Sequence, residues 1–139
     1  MVQAEPHILT LHDFDIRNQA AFTPKMQEAC VQLWAIFRNL SFGERSRGGL
    51  SGVVGISKAV LLLTNGRLGP AFDSRVRRRI GVGNISDATA WIRAIQAASH
   101  DIRAFETANQ TTLHEAVPTQ YSNLHNARLY DMSLGPGSQ

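Results

Sequence analysis

The clearest candidates for chemistry in this 139-residue chain are a lysine and an aspartate in its middle third. Lys58 lies in the segment Gly55-Ile56-Ser57-Lys58-Ala59-Val60, and fourteen residues separate it from Asp73. An amine that is removed from water loses its proton more readily and then acts as a nucleophile. A carboxylate beside it stabilises positive charge that develops in a transition state. The pair therefore has the residue types that nucleophilic catalysis needs, provided that the fold brings the two side chains together.

Residues 50–80, which contain this pair, resemble the catalytic core of the helix-hairpin-helix DNA glycosylase superfamily. In that family a Gly-x-Gly-x-Lys hairpin places a lysine at the start of a buried helix, and a downstream aspartate caps the next helix beneath the same pocket. The resemblance implies that Lys58 attacks the sugar C1′ of a flipped-out nucleotide and that Asp73 is its carboxylate partner. Small bacterial members without an assigned activity, which share a serine-lysine pair and an Asp-Ser-Arg-Val stretch, are the better local match.

The resemblance also implies a nucleic-acid surface, on which glycine amides of the hairpin and nearby arginines contact phosphates. The predicted nucleic-acid-binding residues are Gly52, Gly55, Arg45, Arg47, Arg75, Arg77 and Arg78. The chain departs from the family pattern at Ser57, where a glycine-containing hairpin usually continues. Its spacing from lysine to aspartate is also about one helical turn shorter, and few residues are left for a second helical subdomain.

The same residue types have ordinary structural roles. An aspartate that follows a Gly-Pro turn and precedes a helix is commonly an N-cap, which contributes ~1 kcal/mol. A lysine near a helix start extends to solvent along its own stem. An arginine cluster on a helix is equally compatible with a solvated face.

The positive charge is concentrated in the middle of the chain. Residues 38–103 carry eleven Lys/Arg and four Asp/Glu, a net charge of +7, whereas the segments 1–37 and 104–139 have a net charge of −2 each. This distribution indicates a polyanionic or acidic partner, either DNA or an acidic protein surface.

Apolar periodicity and capping residues predict the helices that position these side chains. Thr23-Pro24 begins a helix whose i, i+3, i+4 stripe runs from Met26 to Leu40 and includes Cys30, so this cysteine is predicted to be a buried, inert thiol. The second helix is apolar on all sides, which predicts that most of it is buried. The predicted helices cover about residues 24–40, 56–64, 74–80, 88–105 and 122–133, with Asp73 capping the third and Ser86 or Asp87 the fourth.

These elements predict an all-α fold, a compact bundle of about five helices with an extended N-terminal arm over residues 1–22, which includes at most one short helix. A single helical domain is expected at 1–134, a loop at 107–120 and a disordered tail at 135–139. The apolar positions of residues 88–105 are spaced 3, 4, 3, 4, 3, which favours packing inside the domain and leaves pairing with a second copy open.

Composition and motifs exclude several classes of site. The five histidines are scattered without an HExxH or CxxC motif, so no metal is predicted, and neither a P-loop nor a GxSxG elbow is present. No cofactor is expected. The lack of a membrane span and of a secretory signal, together with a single cysteine, predicts a cytoplasmic protein without membrane contact.

Three functions compete at this level. The first is a compact relative of the glycosylase fold that binds DNA, with or without lyase chemistry. The second is a non-enzymatic helical interaction protein, such as a phage or mobile-element factor, which docks its basic face on an acidic protein. The third is a simple DNA-binding module. Trp34 and Trp91 both lie on core stripes, which argues against specialisation for single strands.

Overall fold

The computed structural model of the chain describes residues 3–45, 53–121 and 123–133, and in these residues it is helical without strands. The predicted all-α class is therefore confirmed. The helices are α1 (Glu5–Thr10), α2 (Pro24–Arg45), α3 (Val53–Leu63), α4 (Ser74–Ile80), α5 (Ala88–Asn109), α6 (Leu113–Ala116) and α7 (Asn126–Ser133), with 3₁₀ turns at Gln19–Ala21 and Thr119–Tyr121.

Helices α2 and α5, each 22 residues long, form the centre of the bundle. Trp34 of α2 and Trp91 of α5 are both buried, and their ring centroids lie 5.5 Å apart. Ile95, Ala98 and Ile102 continue the buried side of α5. The central positions of the predicted seam, Trp91 to Ile102, are thus packed inside the protein, as the spacing favoured.

The helix starts follow the predicted caps. Thr23 Oγ1 accepts a hydrogen bond from the Met26 amide at 3.1 Å, and Asp87 accepts one from the Ala90 amide at 2.8 Å. Asp87, and not Ser86, is therefore the cap of α5.

Several predicted boundaries were wrong. Helix α3 begins at Val53, three residues before the predicted start, so Gly55 lies inside its first turn. Helix α5 extends to Asn109, and α6 occupies part of the predicted loop because Thr112 and Glu115 form a capping box. Helix α7 begins only at Asn126, which is itself buried.

The predicted burial of α3 was also wrong in part. Val53, Ile56 and Val60 are buried, but Leu62 is 68% exposed, and Val54 and Leu63 are 40% exposed. The helix therefore packs on one side only, although it is apolar on all sides.

The N-terminal segment is packed on the body and contains α1, which contacts α2. Leu11, Phe14 and Ile16 are buried, and Phe14 meets Phe22 edge-on with ring centroids 5.1 Å apart. Across the described ranges, none of the helices has the length and hydropathy required to cross a membrane. The predicted tail at 135–139 lies outside the described residues.

Candidate functional site

The turn between α3 and α4 holds the predicted site and lies against α7. Asn65 and Gly66 adopt positive φ angles of 56° and 78°, and the Gly66 amide donates to the Leu61 carbonyl at 2.8 Å, which ends α3. A Cβ atom on Gly66 would lie 2.5 Å from the Cβ of Arg128 in α7. The glycine therefore permits a close approach that sets the position of α7 beside this turn.

Ser57 connects α3 to the end of the turn that precedes Asp73. Its buried hydroxyl donates to the Val53 carbonyl of the preceding helical turn and accepts a hydrogen bond from the Phe72 amide at 2.9 Å. Phe72 directly precedes Asp73, so Ser57 helps to fix the start of α4. The resemblance drew attention to Ser57 only as a missing glycine, and its structural role was not predicted.

Asp73 has the capping role that the sequence allows. Its Oδ1 accepts a hydrogen bond from the Val76 amide at 3.0 Å, and its Oδ2 forms an ion pair with Arg75 at 3.2 Å. Partial burial acts to raise the pKa of Asp73, but the Val76 amide and the Arg75 guanidinium outweigh it, so the pKa lies below its usual value. The carboxylate is therefore charged, and both of its oxygens already have partners, the Val76 amide and Arg75.

A second carboxylate, Asp131 of α7, lies beside the same turn and was not found from the sequence. Its Oδ1 accepts a hydrogen bond from the Ala71 amide at 3.1 Å, and its Oδ2 pairs with Arg128 at 3.3 Å. Burial raises the pKa of Asp131, and the charge of Asp73 raises it further, whereas the Ala71 amide and the charges of Arg128 and Lys58 oppose the shift. Lys58 and Asp73 are thus both within electrostatic range of Asp131.

Lys58 lies on the solvent side of α3. It is the sixth residue of the helix, and its side chain is exposed. Its neighbours one turn before and after, Val54 and Leu62, are exposed as well. The burial that the resemblance implies for a nucleophilic lysine is therefore not found at this position.

The arginines of α4 differ in their contacts. Arg78 is exposed, whereas Arg79 forms two hydrogen bonds to Asp101 of α5, at 2.9 and 3.3 Å. Asp101 also accepts a hydrogen bond from the Tyr130 hydroxyl at 2.7 Å, which links α4, α5 and α7. Arg77 turns toward the following loop, where its Nη1 lies 3.4 Å from Asn84 Oδ1.

Asp101 joins α4 and α5 to α7 through Arg79 and Tyr130, and the charge of Lys58 in α3 acts on Asp131 of α7. We name five cations of α3, α4 and α7 the basic face: Lys58, Arg75, Arg78, Arg79 and Arg128. Three carboxylates, Asp73, Asp101 and Asp131, lie among these five cations, so the surface has a net charge of +2.

Of the remaining predicted site residues, Gly55 alone is fully described. Gly55 is helical, so it does not form a hairpin before the helix as the resemblance implies. Arg47 and Gly52 lie outside the described residues, as does the side chain of Arg45. Cys30 is fully buried, and burial raises its pKa to about 12, which agrees with an inert thiol.

The described residues contain no group of three or more His, Cys, Asp or Glu that is placed to hold a metal ion. No family model, curated protein or solved structure matches the chain.

Proposed function

We propose that this chain is a nucleic-acid-binding helical domain, which contacts the phosphates of duplex DNA through the basic face. The observation that carries the proposal is the arrangement of α4, where Arg78 is exposed between two arginines that carboxylates hold in place. Arg75 and Arg79 remain 39% and 53% exposed despite these ion pairs, so each guanidinium is accessible to a second anion.

Arginine side chains that are ordered by ion pairs are well suited to phosphate recognition. Their planar guanidinium groups bind oxyanions through two parallel hydrogen bonds, and a side chain that is already ordered loses less conformational entropy on contact. Trp34 and Trp91 are buried, so neither offers a stacking platform for unpaired bases. These features favour the duplex backbone as the ligand.

Arg78 provides the most direct test. We expect the substitution Arg78→Gln to weaken binding to a fluorescent 20-base-pair duplex several-fold in an anisotropy titration at 50 mM NaCl, because it removes about one phosphate contact. Arg93→Gln is the matched control. Arg93 is exposed on α5 beside Glu28 of α2, and it lies about 12 Å along the helix axis from Asp101. An equal loss of duplex affinity in the two variants would mean that DNA binding does not depend on the basic face.

A protein partner is the second candidate, and the exposed apolar residues of α3 favour it. Leu62 and Val54 flank Lys58 on the solvent side of this helix, an arrangement that suits an acidic partner with apolar neighbours. Under this candidate the chain does not bind the duplex at 50 mM NaCl but does bind a peptide that contains both glutamate and leucine. Leu62→Asn then weakens binding of that peptide, whereas under the DNA proposal it leaves duplex affinity unchanged.

Lyase chemistry at Lys58 is a separate extension of the DNA proposal, supported by the charges of Lys58 and Asp73, which both act on the pKa of Asp131. An amine that forms a Schiff base with an abasic site is trapped by borohydride as a covalent complex. Lys58→Ala would abolish that trapping and leave the melting temperature nearly unchanged, because Lys58 is exposed. If the wild-type chain gives no trapped complex, the extension is wrong and DNA binding alone is retained.

A further inference from the structure

A second polar site lies in a shallow cleft of about 490 Å³, wide open to solvent, between the N-terminal segment, the last turns of α5 and α6. Arg103 and Glu106 of α5 line it together with Arg17 and Glu115. Its remaining walls are polar and come from Thr107, Gln110, Thr111 and Thr112.

Both carboxylates of the cleft are engaged by other groups. Arg17 Nε lies 2.9 and 3.0 Å from the two oxygens of Glu106, which also accepts a hydrogen bond from the Leu113 amide at 3.2 Å. Glu115 accepts hydrogen bonds from the Thr112 amide at 3.0 Å and from the Thr111 hydroxyl at 3.3 Å. The hydrogen bond from Thr112 lowers the pKa of Glu115, so this carboxylate stays charged at neutral pH.

Among the described residues, none forms an ion pair with Arg103. Its Nε is buried and has no hydrogen-bond acceptor among the residues that the structure describes. A buried donor on a charged group that lacks an acceptor is unfavourable, and such a group normally finds one in protein, water, an ion or a ligand. Glu106 and Glu115 are engaged by other groups, so the guanidinium of Arg103, which lines the cleft, is available to an anion from outside.

We infer that this cleft binds a small molecule through a carboxylate or phosphate group, with the Arg103 guanidinium as its charge partner. The threonine hydroxyls and the Gln110 amide supply further hydrogen bonds to such a ligand. The negative charge of Glu115 at the same cleft opposes an anion, so the affinity for a simple oxyanion is millimolar.

The cleft is independent of the basic face. Asp101 and Arg103 are two positions apart on α5, so their side chains leave the helix about 200° apart. Asp101 holds Arg79 of the basic face, and the cleft therefore opens on the other side of α5. If the chain does not bind DNA, the inference about the cleft still stands. If the cleft binds no anion, the DNA proposal still stands.

The test is a pair of NMR titrations of the ¹⁵N-labelled chain, one with methyl phosphate and one with acetate, at constant ionic strength set with NaCl. We expect the amide signals of Thr107, Thr111 and Thr112 to shift and saturate at millimolar concentration with at least one anion. Saturation with methyl phosphate alone identifies a phosphate ligand, and saturation with acetate alone identifies a carboxylate. Shifts that stay linear with both anions would overturn the inference.

Arg103→Gln should weaken the binding at least tenfold, and Arg93→Gln on the same helix should leave it unchanged. Arg103→Lys, which keeps the charge but loses the planar fork, should have an intermediate effect. An unchanged affinity in a folded Arg103→Gln variant would contradict the inference. If that variant does not fold, the wild-type titrations still decide the question.

Discussion

Replacement of Gly66 by alanine tests how the α3–α4 turn is held against α7. At φ +78° an L-residue costs about 1–2 kcal/mol relative to glycine. The new Cβ would also lie 2.5 Å from Arg128 Cβ and 3.3 Å from the Arg128 amide nitrogen. These atoms cannot move away by a rotamer change, so α7 or the turn has to shift, at a further cost of about 1–3 kcal/mol.

Gly81 provides the matched control. It has nearly the same backbone angle, φ +74°, but its Cβ would meet no atom within 4 Å. Gly81→Ala therefore has the cost of the backbone conformation alone, about 1–2 kcal/mol. The free energy of unfolding should fall by about 2–5 kcal/mol for Gly66→Ala, which combines the two costs.

Urea unfolding followed by tryptophan fluorescence measures both variants, since Trp34 and Trp91 are buried in the folded chain. Equal m-values would show that the difference in stability between the two variants arises in the folded state. Equal losses of stability in the two glycine variants would refute the close approach of the turn to α7. The placement of Asp131 beside the Ala71 amide would then be wrong as well.

Two further predictions concern the same turn. Ser57→Ala should lower the free energy of unfolding by about 1–3 kcal/mol, because the buried Phe72 amide loses its acceptor, whereas Ser74→Ala, at an exposed position, should stay within about 0.5 kcal/mol. Chemical denaturation measures both, and equal effects would exclude the role given to Ser57. Asp73→Ala should cost about 1 kcal/mol at pH 7 through loss of the cap, and Asp73→Asn less, because asparagine also caps helices. Since the folded pKa of Asp73 is lowered, its charge stabilises the fold above the ordinary aspartate pKa and ceases to do so as the pH falls through the folded value. The difference in stability between wild type and Asp73→Asn should therefore shrink below about pH 4, and a difference that stays constant from pH 7 to pH 2 would contradict this explanation.

Local sequence rules were sufficient for the elements with strong end signals. Helix α4 matches its predicted bounds because Asp73 caps it and Gly81 ends it in the left-handed conformation. The capping box that begins α6 was also readable from Thr112 and Glu115, but the polar composition of this stretch favoured a loop.

Tertiary contacts explain what the sequence did not predict. The contact between Asp131 and the Ala71 amide joins residues 60 positions apart, so no local pattern indicates it. The exposure of Leu62 depends on which side of α3 is covered, and a helix that is apolar all round carries no pattern that identifies the covered side. The exposure of Lys58, by contrast, agrees with the ordinary structural role that the sequence also allows for a lysine near a helix start.

The salt dependence of duplex binding tests the central proposal most directly. If between two and five cations of the basic face meet phosphates, a plot of log K against log [NaCl] has a slope between about −2 and −4.5. Arg78→Gln should make this slope less steep by about 1, whereas Arg93→Gln should leave it unchanged. A slope near zero, or the same slope in wild type and Arg78→Gln, would contradict phosphate recognition by this surface.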